Sequence, residues 1–159
     1  RNTTGLVLVA KSSKVQHDLS KSHDRIYREY VALASGVFPV KEGMVDAPIG
    51  RKDGSIIEWT VREDGKPART DYQVLKQLDD FALLRLHLHT GRTHQIRVHM
   101  AYIHHPLLGD DLYGTADARI DRQALHAEMI RFVHPETGKE MEFHAPIPAD
   151  MLFWKGDKA

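Results

Sequence analysis

Residues 81–109 read FALLRLHLHTGRTHQIRVHMAYIHHPLLG, and the pattern in this stretch predicts how the chain folds. In its first part Leu84, Leu86 and Leu88 alternate with polar side chains, which is typical of a strand with one buried face. The stretch carries three arginines and six of the eleven histidines but no Asp or Glu, although the whole chain has a formal charge of zero. Clustered like charges repel one another unless an anion lies among them. We therefore expect a strand that leads into a cationic corner.

The pattern changes after this strand, and a helix is predicted to follow. Thr93 is placed to cap a helix that runs to about His104, and Ile96 and Met100 are spaced to pack it inward. The start of a helix offers free backbone N–H groups and the positive end of the helix dipole. We expect a phosphate or carboxylate at this corner, held by four side chains: Arg92, His94, Gln95 and Arg97.

Length and composition limit the class of protein. A chain of 159 residues fits one domain with a core of its own. The absence of cysteine excludes disulfides and agrees with a reducing compartment. No apolar run approaches the roughly 18 residues that cross a bilayer, so the sequence predicts a cytoplasmic, soluble protein that does not bind a membrane. The neutral overall charge means that any nucleic-acid site must depend on local charge.

The rest of the chain reads as many strands joined mostly by short turns, with few helices. This pattern predicts an α+β domain built on a mainly antiparallel sheet. The predicted elements are a central strand over residues 5–10, a short helix over 14–21, a strand over 26–35, a hairpin of 68–78 with 81–89, a strand over 125–133 with its return at 141–145, and a closing helix over 148–155.

Two other interpretations of the histidine-rich stretch stay open. The basic corner could be an ordinary solvated surface. Alternatively, His87 and His89 lie two apart on a strand and share a face, as a metal site requires. Against a metal, His94 and His99 are five apart rather than four, the stretch has no carboxylate, and its arginines repel cations. A histidine-based metallohydrolase is therefore a distant alternative.

Some further residues gain meaning only from context. Arg51 and Lys66 add positive charge in loops, where plain surface is the default interpretation. Tyr30 by default is a core aromatic residue whose hydroxyl finds a partner. The sequence has no glycine-rich phosphate loop, dinucleotide fingerprint or nucleophile elbow.

Several phrases, in order along the chain, resemble one family. TGRTHQIRVHM followed by HPLLGDDLYG is similar to the most distinctive motif of the RluA/RluD-type RNA pseudouridine synthases. The resemblance also includes RNTTGLVLVAK, REYVALASG, VDAPIGR, GKPARTDYQVL, LHAEMIRFVHPETG and FHAPIP. Each phrase alone is weak, but the ordered set covers essentially the whole chain and is specific.

The resemblance implies a fold and an activity. The fold is a mixed, mainly antiparallel sheet with flanking helices and a central cleft. The activity is isomerisation of uridine to pseudouridine within RNA, either rRNA or tRNA, with no cofactor and no metal. Tyr30 falls on the family's active-site tyrosine, which stacks on the base, and Arg97 falls on the basic residue that pairs with the catalytic aspartate. By charge and by their matching motifs, the RNA-contacting candidates are Arg92, His94, Gln95, Arg51 and Lys66.

The sequence departs from the family's pattern at its first residue. In the family the catalytic aspartate closes an HRLD phrase immediately before the position matching Arg1, and this chain begins one residue later. We therefore expect residues 1–159 to be a catalytic domain that is incomplete at its amino end and inactive alone. A non-catalytic RNA-binding module of the same fold is the alternative. The position of the family's catalytic aspartate is not occupied by any of five aspartates of this chain: Asp18, Asp24, Asp46, Asp71 and Asp110.

Overall fold

Two long strands form the middle of the sheet in a computed structural model that describes residues 2–21 and 25–156. β2 (Tyr27–Ser35) and β7 (Phe81–Leu88) run antiparallel along most of their lengths. Residues 31–34 of β2 are fully buried. Both strands were predicted, and both are confirmed. Arg1, before which the catalytic aspartate is expected, and Asp24 lie outside the described residues.

The remaining strands flank this central pair. The seven-stranded sheet has the order β1-β8-β2-β7-β6-β3, with β9 paired to β8, and a separate hairpin joins β4 to β5. All pairs in the large sheet are antiparallel except β1 with β8, so the predicted mainly antiparallel α+β fold is confirmed. These strands are β1 (Thr4–Gly5), β3 (Glu42–Asp46), β4 (Ile49–Arg51), β5 (Trp59–Val61), β6 (Arg69–Gln77), β8 (Leu125–Val133) and β9 (Glu140–His144).

The sheet buries both faces in separate apolar clusters. On one face Leu84, Leu86 and Leu88 pack with Ile96 and Met100 of the helix α2 (Gln95–Tyr102). Because side chains alternate along a strand, the polar residues between these leucines project from the opposite face. The alternation in the opening stretch therefore predicted the burial of β7 correctly.

The opposite face is covered by the carboxyl end of the chain. Val31, Leu33 and Phe81 pack there with Met151 and Trp154. The predicted closing helix over 148–155 is wrong in type, because the segment forms two short 3₁₀ turns, Ala149–Met151 and Phe153–Gly156. The Trp154 indole N–H donates to the Met151 carbonyl at 2.8 Å within this segment.

The first helix follows its prediction closely. α1 spans Ser13–Lys21, and the Ser12 hydroxyl accepts a hydrogen bond from the Val15 N–H at 3.2 Å. Val15 and Leu19 face inward, against Ile130 and its neighbours on β8. A serine cap and an apolar pair four residues apart were sufficient signals for this element.

The predicted central strand over residues 5–10 is wrong. Only Thr4–Gly5 pairs with β8, and the last ladder-like bond runs from the Leu6 N–H to the Ala127 carbonyl at 3.0 Å. Beyond it Val7 and Val9 are 81% and 74% exposed, while Leu6, Leu8 and Ala10 pack toward α1. The run forms a wall of the cleft described below.

The predicted cap of α2 is also wrong. No side chain caps the helix; His94 holds that position with φ 54° and ψ 24°, in the left-handed region. The helix ends at Tyr102, two residues before the predicted end. There His104 again has positive φ, and the His105 N–H donates to the Met100 carbonyl at 2.8 Å. This is the 6→1 bond of a helix stop that usually contains glycine.

A buried chain of polar groups holds the start of α2 in place. The Gln95 amide nitrogen donates to the Thr70 hydroxyl at 2.9 Å, and that hydroxyl bonds to His99 Nδ1 at 2.8 Å. His99 Nε2 bonds to the Ala47 carbonyl at 2.8 Å. His99 and Thr70 are completely buried. These bonds join α2 to β6 and to the segment between β3 and β4, and they satisfy groups that burial would otherwise leave unpaired.

Across residues 2–21 and 25–156, no helix is long and apolar enough to span a bilayer.

The buried His99 predicts a dependence of stability on pH. Burial lowers its pKa below 6.5, although the bond to Ala47 partly opposes the shift. A histidine that stays neutral when folded but takes up a proton when unfolded loses its stabilising effect as the pH falls through the unfolded-state pKa. We expect the free energy of unfolding in urea to decrease below about pH 6.5. An NMR titration isolates the contribution of this ring, and a His99 pKa of 6.5 or more would contradict the explanation.

Candidate active site

A cleft opens between α2, the first described residues of the chain and the strands β2 and β8. Tyr30 projects from β2 into this cleft, and Arg97 enters it from the first turn of α2. The pairing of β2 with β8 shifts register between Glu29 and Tyr30, a type of irregularity that often re-aims a side chain beside a functional site. The residues that line the cleft include Thr3, Thr4, Leu6, Val7, Tyr30, Leu88, Arg92, His94, Gln95, Ile96, Arg97, Gln123, Leu125 and Ala127.

The structure thus brings together five of the seven predicted site residues. The other two do not line this cleft. Arg51, expected in a loop, is the last residue of β4, and Lys66 forms a bridge with Ile49 beside the β4–β5 hairpin. The Arg51 guanidinium sits over the Trp59 ring at 4.7 Å from its centroid. The Trp59 N–H donates to the Tyr113 hydroxyl at 3.0 Å, so the hairpin is anchored to the loop that borders the cleft.

Arg97 is held by a buried carboxylate. Its Nε and Nη2 donate to the two oxygens of Asp110 at 2.8 and 2.9 Å, which is a bidentate pair. The Asp110 side chain is fully buried and that of Arg97 is 11% exposed. Burial lowers the pKa of Arg97, but the hydrogen bonds that Arg97 donates to Asp110, together with the charge of that carboxylate, outweigh burial, and the net shift of the pKa is upward. The guanidinium is therefore a fixed positive charge at the cleft.

The carboxylate that pairs with Arg97 in the structure is Asp110, whereas the partner implied by the family resemblance is a catalytic aspartate just before Arg1. Asp110 follows α2 by eight residues and also accepts the backbone N–H groups of Leu112 and Tyr113 at 3.2 and 3.1 Å. The pair uses two of the three guanidinium nitrogens and leaves Nη1 outside it. Pairing between Arg97 and a catalytic aspartate remains a prediction.

His94 bonds to a tyrosine that also receives the hairpin. Its Nδ1 lies 2.6 Å from the Tyr113 hydroxyl. Burial, followed by the charge of Arg97, lowers the pKa of His94, and burial raises the pKa of Tyr113. With the Tyr113 phenol protonated and His94 neutral, the phenol O–H is placed to donate a hydrogen bond to Nδ1, while the phenol oxygen accepts one from the Trp59 backbone N–H. His94 consequently offers the cleft a neutral ring rather than a charge.

Gln95 serves the fold at this site. Its side chain is buried, and its carbonyl oxygen accepts the Arg92 N–H at 3.0 Å and the Thr90 hydroxyl at 2.7 Å. Its nitrogen donates to the Arg69 carbonyl and the Thr70 hydroxyl, both at 2.9 Å. Gln95 thus makes four hydrogen bonds within the protein, and these bonds shape the turn before α2. The predicted cap residue, Thr93, does not cap the helix.

Arg28 is a cleft residue that the sequence analysis missed. It borders the outer part of the cleft together with Tyr30, Leu6 and Val7. A Cβ placed on Gly91 would lie 3.0 Å from its Nη2, so the turn before α2 passes directly beside the guanidinium. Its Nε is buried without a hydrogen-bond partner, and no ion pair links it to any acid in the described part of the chain. The sequence could have indicated Arg28, because it lies two residues before Tyr30 and the two side chains therefore share one face of β2.

The cleft is cationic. Arg28, Arg92 and Arg97 border it, whereas none of the described residues that line it is Asp or Glu. The Arg92 Nε donates to the Pro67 carbonyl at 2.7 Å, which fixes this guanidinium at the rim. The arrangement suits a polyanion that presents a flat base to Tyr30, because such a ligand supplies the missing negative charge and a ring that can stack.

Comparison with known proteins identifies the family. Residues 1–102 match the family described as RNA pseudouridylate synthase. The chain is 50% identical over 153 residues to an uncharacterised RNA pseudouridine synthase, YjbO, of Bacillus subtilis, covering 95% of this chain and 54% of that protein. It is 46% identical over 168 residues to ribosomal large subunit pseudouridine synthase D of Escherichia coli K12, covering 96% of this chain and 51% of that protein.

Solved structures agree with these sequence relationships. Human RNA pseudouridylate synthase domain containing 1 superposes with a TM-score of 0.73 at 28% identity, over 87% of this chain and 61% of that one. The human domain containing 4 protein has a TM-score of 0.68 at 21% identity and supports the fold alone.

The chain therefore belongs to the RNA pseudouridylate synthase family, and to its RluA/RluD-type branch. It spans about half the length of the curated relatives that it matches. The family resemblance stated from the sequence motifs is confirmed.

The Arg97–Asp110 pair predicts that neutralising Asp110 lowers the free energy of unfolding more than neutralising an acid on the surface does. Asp110→Asn leaves the Arg97 charge poorly compensated in a buried site, so we expect a loss of about 3–5 kcal/mol in the free energy of unfolding. Glu140→Gln is the matched control, because Glu140 pairs with Arg131 on the surface at 3.5 Å with its side chain 70% exposed. That change should cost less than about 1 kcal/mol. Equal losses in urea unfolding would show that the Arg97 pair does not organise the fold.

Proposed function

We propose that this chain carries the catalytic domain of an RNA pseudouridine synthase that isomerises specific uridines in structured rRNA or tRNA. The observation that carries the proposal is the placement of Tyr30 and Arg97 in one cationic cleft, in a chain that belongs to this family. The reducing compartment suggested by the lack of cysteine supports a cytoplasmic location.

The reaction is an isomerisation, so it has no net requirement for a redox partner or a group donor. The bond between N1 of the base and C1′ of the ribose breaks, the base turns, and C5 bonds to C1′ while its proton passes to N1 by way of a base. We assign Tyr30 to stacking on the uracil and to helping in removal of the C5 proton. The uridine must first leave its stack, at a cost of a few kcal/mol, which stacking on an aromatic ring and backbone contacts offset.

The initiating aspartate is proposed to come from outside the described cleft residues. Among residues 2–21 and 25–156, those that line the cleft include no carboxylate, and Asp110 is already bound by Arg97 and two backbone N–H groups. In this proposal Arg97 presents its remaining nitrogen to the initiating carboxylate and keeps that group ionised, because an adjacent positive charge favours the charged form of an acid.

The remaining basic residues are proposed to bind the RNA backbone. Arg92 and Arg28 lie at the cleft itself, whereas Arg51 and Lys66 lie at the hairpin outside the cleft. His94 contributes a neutral hydrogen-bonding ring. Gln95, also a candidate from the sequence, is assigned to support of the turn, because its amide is buried and fully bonded.

A second candidate function is a non-catalytic RNA-binding module. It is favoured by one observation, the lack of a carboxylate among the described cleft residues. The two functions share the RNA ligand and differ only in turnover.

An isomerisation assay distinguishes the two functions. Tritium release from RNA containing 5-tritiated uridine should occur with a protein extended upstream of Arg1, and the 159 residues alone should release none. Tyr30→Phe in the extended protein should reduce the rate strongly while leaving the fold intact, because it removes only a hydroxyl. Equal turnover by the short and extended proteins would refute the proposed origin of the aspartate, and no turnover by either would favour the binding module.

RNA binding separates the roles of two arginines. Arg92→Gln should weaken affinity and reduce the slope of log affinity against log salt by about 0.7 to 0.9, as expected for one lost phosphate contact. Arg97→Lys should slow catalysis with little change in affinity, because it keeps the charge but loses the bidentate geometry. Filter binding across a salt series and single-turnover rates measure both quantities. Equal effects of both variants on both quantities would remove the distinction. Arg97→Ala is less informative, because it leaves Asp110 buried without a partner.

A further inference from the structure

A second cluster of reactive side chains lies on the other face of the sheet. Leu88 lines the cleft, so the alternation along β7 directs His87 and His89 away from it. β6 runs beside β7, and Asp71 is paired directly opposite His87. Two imidazoles and one carboxylate therefore meet on a surface that the proposed reaction does not use.

The geometry of these three groups is close to that of a metal site. One potential ligand atom from each of Asp71, His87 and His89 lies within 4.8 Å of the other two. His89 Nε2 is 2.6 Å from Asp71 Oδ2, and the two histidine rings are 4.5 Å apart between centroids. The second carboxylate oxygen, Oδ1, is buried and makes no hydrogen bond. Two imidazoles and a carboxylate are a ligand set that suits zinc and its neighbours among the divalent transition metals.

Residues 81–109 contain no carboxylate, and this was one reason to expect no metal at His87 and His89 or elsewhere in the protein. β6 supplies a carboxylate through strand pairing, which the spacing within residues 81–109 did not reveal. A metal at this cluster departs from that expectation, at a place apart from the cleft.

Packing prepares His87 as a ligand. The Tyr27 ring stacks on it at 4.2 Å between centroids and limits its rotation. Tyr27 itself stays protonated, because burial and the Glu29 carboxylate raise its pKa to about 12.

Nearby arginines oppose a cation, but their charges are partly balanced. Arg85 lies 3.9 Å from Glu29 and 3.6 Å from Glu128, so two acids share its charge. Arg131 sits over the Tyr27 ring at 4.6 Å and also pairs with acids of β9. Arg69 is the direct competitor, since its Nε is 3.6 Å from Asp71 Oδ1. Its side chain is 46% exposed and can turn into solvent when a cation arrives.

We propose that Asp71, His87 and His89 form a binding site for one divalent transition-metal ion of the zinc class. The metal takes the place of the direct hydrogen bond between His89 and Asp71 and is held by one atom from each of the three side chains, with water in the open positions. Such an ion clamps the end of β7, just before the turn that leads into the cleft, to β6. The site is independent of the proposed catalytic function.

The test is a Zn²⁺ titration of the 159-residue chain in competition with a colorimetric chelator. We expect one ion per chain, and at least about a tenfold loss of affinity in Asp71→Asn and in His89→Ala. Zn²⁺ should also raise the thermal midpoint of the unchanged chain and not that of the variants. His144→Ala is the matched control, because it removes a histidine that bonds a carboxylate, Glu142, at 2.8 Å without a third ligand. Its affinity for Zn²⁺ should be unchanged.

The outcomes decide between a site and adventitious binding. Absence of stoichiometric Zn²⁺ binding to the unchanged chain overturns the proposal. Binding that Asp71→Asn and His89→Ala leave intact, or that His144→Ala weakens equally, also overturns it. Circular dichroism establishes that each variant is folded. Should His89→Ala fail to fold, Asp71→Asn decides the question, since it preserves the shape of the side chain and removes only the charge.

Discussion

The buried pair of Arg97 and Asp110 is the interaction on which the cleft depends. An arginine close to the apolar core is stable only when its donors are matched, and the two carboxylate oxygens match Nε and Nη2 directly. The same carboxylate holds two backbone N–H groups of the loop after α2. One acid thus joins the helix that presents the guanidinium to the loop that presents Tyr113, and the position of both follows from it.

A second network sets the direction from which α2 enters the cleft. Gln95 ties the turn before the helix to β6, and His99 continues the chain of bonds to the Ala47 carbonyl. These groups are buried, so each lost bond would leave a polar atom unpaired, at a cost of about 1–3 kcal/mol. The network therefore ties the turn before α2 to the sheet at the edge of the cleft.

The two faces of the sheet carry different side chains. The α2 face carries the arginines with few acids, while the opposite face at the end of β7 mixes arginines, acids and histidines. A single alternating strand supplies both faces, because neighbouring residues on a strand point in opposite directions. The histidines of residues 81–109 are therefore divided between the two faces, and only some of them face the cleft.

The sequence by itself determined β2, β7, the hairpin into β7, α1 and the family, because alternation, a serine cap and ordered motifs are local signals. It also placed Tyr30 and Arg97 among the candidates through the family resemblance. The tertiary structure decided what those signals could not. Asp110 and Asp71 lie far from their partners along the chain, so their pairings exist only after the loop and the strands come together. The predicted central strand over residues 5–10 was wrong for the same reason. Whether such an apolar run becomes a central strand or the wall of a cleft depends on which partner strand lies beside it.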